Sequence, residues 1–116
     1  MFADFPEFFK NRNNVKASLM AFGFECGDGW FDLIYNLCKD IKSLNPSNFV
    51  VLQVKEKFGG LRFYVGGGKE NIWKLIDRAG QESCNICEKC GKPGDLKLLN
   101  GWYLTRCGKH FKREGK

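Results

Sequence analysis

Apolar residues recur along this chain in two rhythms, and each predicts a different kind of element. In GWFDLIYNLCKDIKSLNP, Trp30, Leu33, Ile34, Leu37, Cys38, Ile41 and Leu44 fall at intervals of three and four. That spacing lays one apolar stripe along an α-helix. Asp28 is placed to cap its start, Asp32 complements the helix dipole, and Asn45-Pro46 stops it. A shorter helical start is predicted over DFPEFFK, with Asp4 as N-cap, Pro6 in the first turn and Glu7 in capping-box spacing. Phe5, Phe8 and Phe9 would face inward there. NRNN interrupts this pattern before VKASLMAF resumes it.

From Phe49 onward the period shortens to two. Val50, Leu52 and Val54 alternate with more polar neighbours, and Leu61, Phe63 and Val65 do the same on the return. Gly59-Gly60 is the expected turn, because a two-residue hairpin loop needs positive φ. That register sets Phe58 opposite Leu61, Glu56 opposite Phe63 and Val54 opposite Val65. It gathers Gln53, Lys55, Lys57, Arg62 and Tyr64 on the other face, and a three-residue loop would reverse the arrangement. After Gly66-Gly67-Gly68 the helical period returns in Ile72, Leu75, Ile76 and Ala79, with Gly80 expected to loosen the helix end. The predicted class is α+β: helices packed on a β-hairpin over residues 1–83, then a C-terminal zinc-stapled module over residues 84–116.

That last segment is governed by ligand spacing. CNICEKCG overlaps Cys84-x-x-Cys87 with Cys87-x-x-Cys90, and Cys107-x-x-His110 follows. Read from Cys87, the pattern is C-x2-C-x16-C-x2-H, which matches structural zinc sites. Each short pair lets one turn present two ligands. The loop between them, LKLLNGWYLTRC, reads as a hairpin turning at Asn100-Gly101 that brings the second pair round. The predicted ligands are therefore Cys87, Cys90, Cys107 and His110, around one structural zinc ion in a zinc-ribbon or knuckle-like module. In CGKPG, Gly91 suits a turn whose amide can point at a thiolate sulfur. An iron–sulfur cluster on Cys84, Cys87, Cys90 and Cys107 is disfavoured, because the fourth cysteine and the proline are not where ferredoxin spacing puts them. Cys84 is left as a spare thiol that ends a helix and packs, or alternatively as an oxidation-sensitive one.

Composition narrows the class. With 116 residues, 43% of them hydrophobic, and eleven Phe and three Trp, the chain can bury a core. It is still near the size at which metals serve as staples. No run approaches the roughly 20 apolar residues that cross a bilayer, and the start lacks the features of a signal peptide. A cytoplasmic, reducing location is expected, where six cysteines stay unpaired.

The net charge of +6 sits unevenly: −1 over residues 1–48, +2 over 49–83 and +5 over 84–116, where eight Lys and Arg meet three Asp and Glu. The excess points to nucleic acid or an acidic protein partner, or to a solvated basic tail, KHFKREGK. Lys55, Lys57, Arg62 and Tyr64 form a second candidate surface, for phosphate, a nucleotide or a nucleic-acid backbone with Tyr64 stacking. The alternative there is a Lys-rich solvated strand face that discourages edge pairing.

Catalysis finds little support. Four protein ligands close a zinc site, and the H-x-E and P-C-x-x-C pattern of zinc deaminases is missing. Cys26, in ECGDGW, has no histidine to activate it, since His110 is the only one and belongs to the metal set. Asp28 and Asp32 beside Trp30 read as helix caps before they read as a cation or sugar site. GGG at 66–68 lacks phosphate-loop spacing.

Taken together, GDGWFDLIYNLCKDI, VLQVKEKFGGLRFYV, CEKCGKPG and GWYLTRCGKH resemble a family of small bacteriophage and prophage proteins, over about residues 24–110. The resemblance implies a phage origin and a metal role for Cys87, Cys90, Cys107 and His110. It leaves Cys84 outside and implies no particular activity. The leading expectation is a non-enzymatic, zinc-stapled protein in the cytoplasm of an infected bacterium. Its partner would be a host macromolecule, a defence component among the candidates, and no membrane is involved. A nucleic-acid-binding accessory protein and a nucleotide sponge using the hairpin face are the alternatives.

Overall fold

The computed structural model describes residues 4–10 and 24–110. The VKASLMAF segment and the end of the basic tail lie outside the described residues. Strand β1 (Phe24–Glu25) leads into a 3₁₀ turn at Asp28–Trp30 and then helix α1 (Phe31–Ser43). The predicted stripe is inward: Trp30, Ile34, Leu37, Cys38 and Ile41 are buried, and Leu33 packs against them. Each such side chain contributes about 1.5–3 kcal/mol of burial. Two details differ from expectation. Asp28 belongs to the 3₁₀ turn, and α1 starts at Trp30 without a side-chain cap. Leu44 is exposed past the last turn, where Asn45 takes a left-handed φ of 55° and ends the helix.

Strands β2 (Val50–Lys57) and β3 (Gly60–Gly66) form the predicted hairpin, with β1 parallel to β2 on its other side. The sheet order is therefore β1-β2-β3. The turn is Phe58-Gly59, not Gly59-Gly60, and both residues are left-handed, at φ 54° and 82°. Lys57 thus pairs with Gly60, Lys55 with Arg62 and Val54 with Phe63. Partners shift by two positions, an even number, so the faces survive: Lys55, Lys57, Arg62 and Tyr64 still share one side. A bulge between Val51 and Gln53 breaks the expected alternation, burying Val51 and Val54 while Val50 and Leu52 stay half-buried.

Helix α2 (Glu70–Ser83) packs against β3 and α1, burying Ile72, Ala79 and Ser83. Gly80 does not loosen it. The helix continues because the Ser83 hydroxyl donates to the Gly80 carbonyl and accepts the Leu61 N–H at 2.9 Å. Residues 4–10 form turns where a helix was expected, yet Phe5, Phe8 and Phe9 are buried as the pattern required. The Phe8 carbonyl accepts the Val51 N–H at 2.7 Å, and the Phe8 ring meets Phe49 edge-on.

Strands β4 (Asp95–Leu99) and β5 (Trp102–Arg106) make the second hairpin, turning at Asn100-Gly101 as expected, with φ of 50° and 84°. This end has little core of its own: Leu96, Leu98, Trp102 and Tyr103 are exposed. The class is α+β, with a Cys/His cluster at the C-terminal end. Among the described residues no helix is long and apolar enough to cross a membrane.

Candidate metal centre

After α2 the chain makes a knuckle. An isolated bridge pairs Ile86 with Pro93, the Cys87 N–H donates to the Lys92 carbonyl at 2.8 Å, and the Gly91 N–H returns to the Cys87 carbonyl at 2.9 Å. Gly91 sits at φ 81°, so the turn there needs its missing side chain. Its amide closes on a carbonyl and not on a sulfur, contrary to expectation. Cys107 follows β5 directly, and the His110 N–H bonds the Cys107 carbonyl at 3.0 Å, which folds that pair into one turn.

These two turns bring Cys87, Cys90, Cys107 and His110 together, all ligand atoms lying within 4.8 Å of one another. The Cys90 and Cys107 sulfurs are 3.7 Å apart, and the His110 Nδ1 lies 3.3 Å from the Cys87 sulfur and 3.2 Å from that of Cys107. A tetrahedron with Zn–S of about 2.3 Å and Zn–N of about 2.0–2.1 Å has S···S edges near 3.8 Å and S···N edges near 3.5 Å. The four residues therefore fit one structural zinc ion, and none of the six cysteines is in a disulfide. His110 offers Nδ1, which places its ring proton on Nε2. Cys84 ends α2 with its sulfur 3.7 Å from the Gly80 carbonyl, outside the cluster. The iron–sulfur set is thus not assembled.

Burial works against charge on Cys87, but the backbone amides of Cys107, Cys90 and Lys89 outweigh it and bring the thiol down to about 6. The Lys92 amide lowers Cys90, yet desolvation and the neighbouring Cys87 and Cys107 sulfurs leave it raised. The crowding that raises Cys90 is what a divalent cation relieves. With zinc, three thiolates and a neutral imidazole, the centre carries about −1.

The knuckle rests on the loop that precedes α1, a relationship absent from the sequence reading. The Trp30 Nε1–H donates to the Ile86 carbonyl at 2.9 Å, the Gly29 N–H to the Glu88 carbonyl at 2.7 Å, and the Gly27 N–H to Glu88 Oε2 at 2.8 Å. A Cβ on Gly29 would collide with the Cys87 carbonyl oxygen, and one on Gly27 with that of Glu88. GDGW is therefore a backbone socket for the zinc knuckle, and not a cap followed by a cation or sugar site. Its readable signal was two glycines flanking one residue just before a Trp whose N–H needs a buried partner. Arg106 closes the far side, with Nη1 2.7 Å from Glu88 Oε1.

The tip of the first hairpin also docks here. The Thr105 hydroxyl donates to the Gly59 carbonyl at 2.6 Å, and Leu96 fills the space where a Gly59 side chain would stand. This leaves Phe58 exposed beside Trp102 and Tyr103, around a hollow of about 360 Å³. Lys57, Arg62 and Tyr64 are exposed and Lys55 half-buried on the sheet face, apart from the metal cluster. Compared with protein-family models, curated proteins and solved structures, the chain matches none.

Proposed function

We propose that this is a non-enzymatic binding protein in which zinc stiffens a hairpin that presents an apolar surface to a protein partner. One observation carries the reading: where the two hairpins meet, the exposed Phe58, Trp102 and Tyr103 line one hollow, and Phe58 also borders the exposed Leu96 at the mouth of a second. Contiguous apolar surface rich in aromatics marks interaction sites. Phe58 adds a second argument. An aromatic residue at φ 54° bears about 1–2 kcal/mol of strain at a position that Asn or Gly fills freely. Strain of this kind is retained where a side chain is needed for something other than folding.

The site chemistry supports a binding role over catalysis. Four protein ligands leave zinc no open position, and the only histidine is one of them. Burial pushes the Cys38 thiol up to about 12, and burial together with Glu88, Asp28 and Glu56 does the same to Cys26, so neither is a nucleophile at neutral pH. With the resemblance to phage-encoded proteins, the partner we propose is a host protein, defence components included, met in the bacterial cytoplasm. A nucleic-acid reading draws on Trp102, Tyr103 and the basic C-terminal module. Leu96 and Leu98 give a base nothing to stack on, which favours protein.

The test is affinity capture from cells expressing the protein, alongside the Phe58→Ala/Trp102→Ala double variant. The wild type should retain one host protein stoichiometrically, and the double variant should lose it by about 100-fold at unchanged zinc content. Equal capture by both, or recovery of nucleic acid alone with steep salt dependence, would overturn the reading.

A further inference from the structure

We infer that the free edge of β3 receives an extended segment of a partner polypeptide, with alternating acidic and apolar residues, as a fourth strand. This rests on the binding reading above and names the form the partner takes.

Among the described residues, the order β1-β2-β3 leaves β3 with one side that no strand pairs. Across a two-residue turn closed by Lys57 and Gly60, the backbone groups of Gly60, Arg62 and Tyr64 point at β2, and those of Leu61, Phe63 and Val65 point away. Leu61 confirms the direction, since its N–H leaves the sheet for the Ser83 hydroxyl. Beyond it, the outward groups of Phe63 meet no partner among the described residues. An open strand edge of this kind is a template for another strand.

There is room for one. A cleft of about 610 Å³ runs along this edge, with β3 residues 61–64 on one wall and Ile76, Asp77, Gly80 and Gln81 of α2 on the other. One end opens at Phe58 and Leu96, so the cleft continues into the apolar surface already assigned to a partner. Gly80 keeps it open. A glycine inside a helix is worth about 1 kcal/mol less than alanine. Packing does not require it here, because a Cβ would meet only the Leu61 carbonyl at 3.5 Å, an ordinary contact.

The side chains along the edge select the occupant. Lys55 and Arg62 lie directly opposite each other, a destabilising like-charge pair, and neither has an acidic partner among the described residues. A strand beside β3 would set its own side chain next to Arg62 on that face, and a carboxylate there neutralises the pair. On the opposite face it would meet the partly buried Ile76 at the rim of the core that holds Leu61 and Phe63, which suits an apolar group. A second copy of this chain would instead gather Lys55, Lys57 and Arg62 from both copies on one face with no acid between them.

The probe is a displayed library of random ten-residue linear peptides, panned on the zinc-loaded full chain. Enriched peptides should alternate acidic and apolar residues, and binding should slow hydrogen exchange at the Phe63 amide by about tenfold or more. Gly80→Leu, which fills the cleft while favouring the helix, should weaken them by about 50-fold without lowering the unfolding temperature. Arg62→Glu should switch the enriched charge to basic. Peptides that bind Gly80→Leu as well as wild type but fail on Trp102→Ala would overturn the strand site and leave the binding reading standing. A dimer by sedimentation with Phe63 protected would overturn it in favour of a second copy. Absence of any enrichment would overturn it outright.

Discussion

Glu88 is engaged on every side although it lies between two metal ligands. Its carboxylate takes Arg106 at 2.7 Å and the Gly27 amide at 2.8 Å, and its carbonyl takes the Gly29 amide at 2.7 Å. Both charged residues are only 7% exposed, and the Arg106 Nε is buried with no partner. A buried pair is not a large net stabiliser, but breaking one side strands the other charge. Glu88→Ala should therefore lower the stability of the zinc-loaded protein by about 3–5 kcal/mol in urea unfolding. Glu88→Leu combined with Arg106→Met should lose clearly less, since no charge is left behind. A double variant as unstable as the single one would show that the Gly27 contact to the carboxylate, and not the ion pair, dominates. None of this was legible in CEKC, where Glu88 looks like an exposed neighbour of Lys89. Its ion partner lies 18 residues on and its amide partner 61 residues back.

Between the two hairpins, the exposed tip is where fold and function compete. Phe58 holds the first position of a turn that favours Asn, and Lys57 reaches over its ring at 5.4 Å. Phe58→Asn should relieve the left-handed strain and raise stability by about 1 kcal/mol, seen as a higher urea midpoint at unchanged slope. The same change should weaken partner capture. An unchanged or lower midpoint would mean that contacts of the ring already offset the strain. The turn also shows which elements could be read in advance. Helices α1 and α2 announce themselves through a three-and-four period, and the second hairpin through Asn100-Gly101. The metal ligands announce themselves through two short pairs. All of these depend on residues a few positions apart. The first hairpin turns one residue early because Gly59 is clamped by Thr105, 46 residues away, and by Leu96. Likewise α2 runs past Gly80 because Ser83 has a partner 22 residues back, in Leu61. Contacts that distant leave no local pattern, so these elements were readable and their joints were not, while the turns over residues 4–10 and the two-residue β1 escaped the sequence pattern.

Across the whole molecule, the joints decide what the metal does. The C-terminal hairpin buries few side chains, so its order depends on the zinc centre and on the backbone socket formed by Gly27, Gly29 and Trp30. Trp30 is fully buried and belongs to the main core, yet its indole N–H is spent on the Ile86 carbonyl of the knuckle. Losing the ion should thus disturb the core as well as the module. Trp73 and Trp102 are 56% and 73% exposed, so the blue edge of the protein's fluorescence belongs to Trp30. A strong chelator at neutral pH should release about one zinc per chain and shift that blue component to the red in the same step. Acid should do the same. The folded Cys87 thiol lies at about 6, below its ordinary 9.0, so stability linked to its charge is complete above pH 9 and disappears as the pH falls through 6. Protons and zinc compete for that sulfur, and release should accordingly steepen below about pH 6. Zinc loss that leaves the Trp30 emission unmoved would mean the knuckle separates from its socket without consequence, and the module would then be an appendage to the core instead of one of its walls.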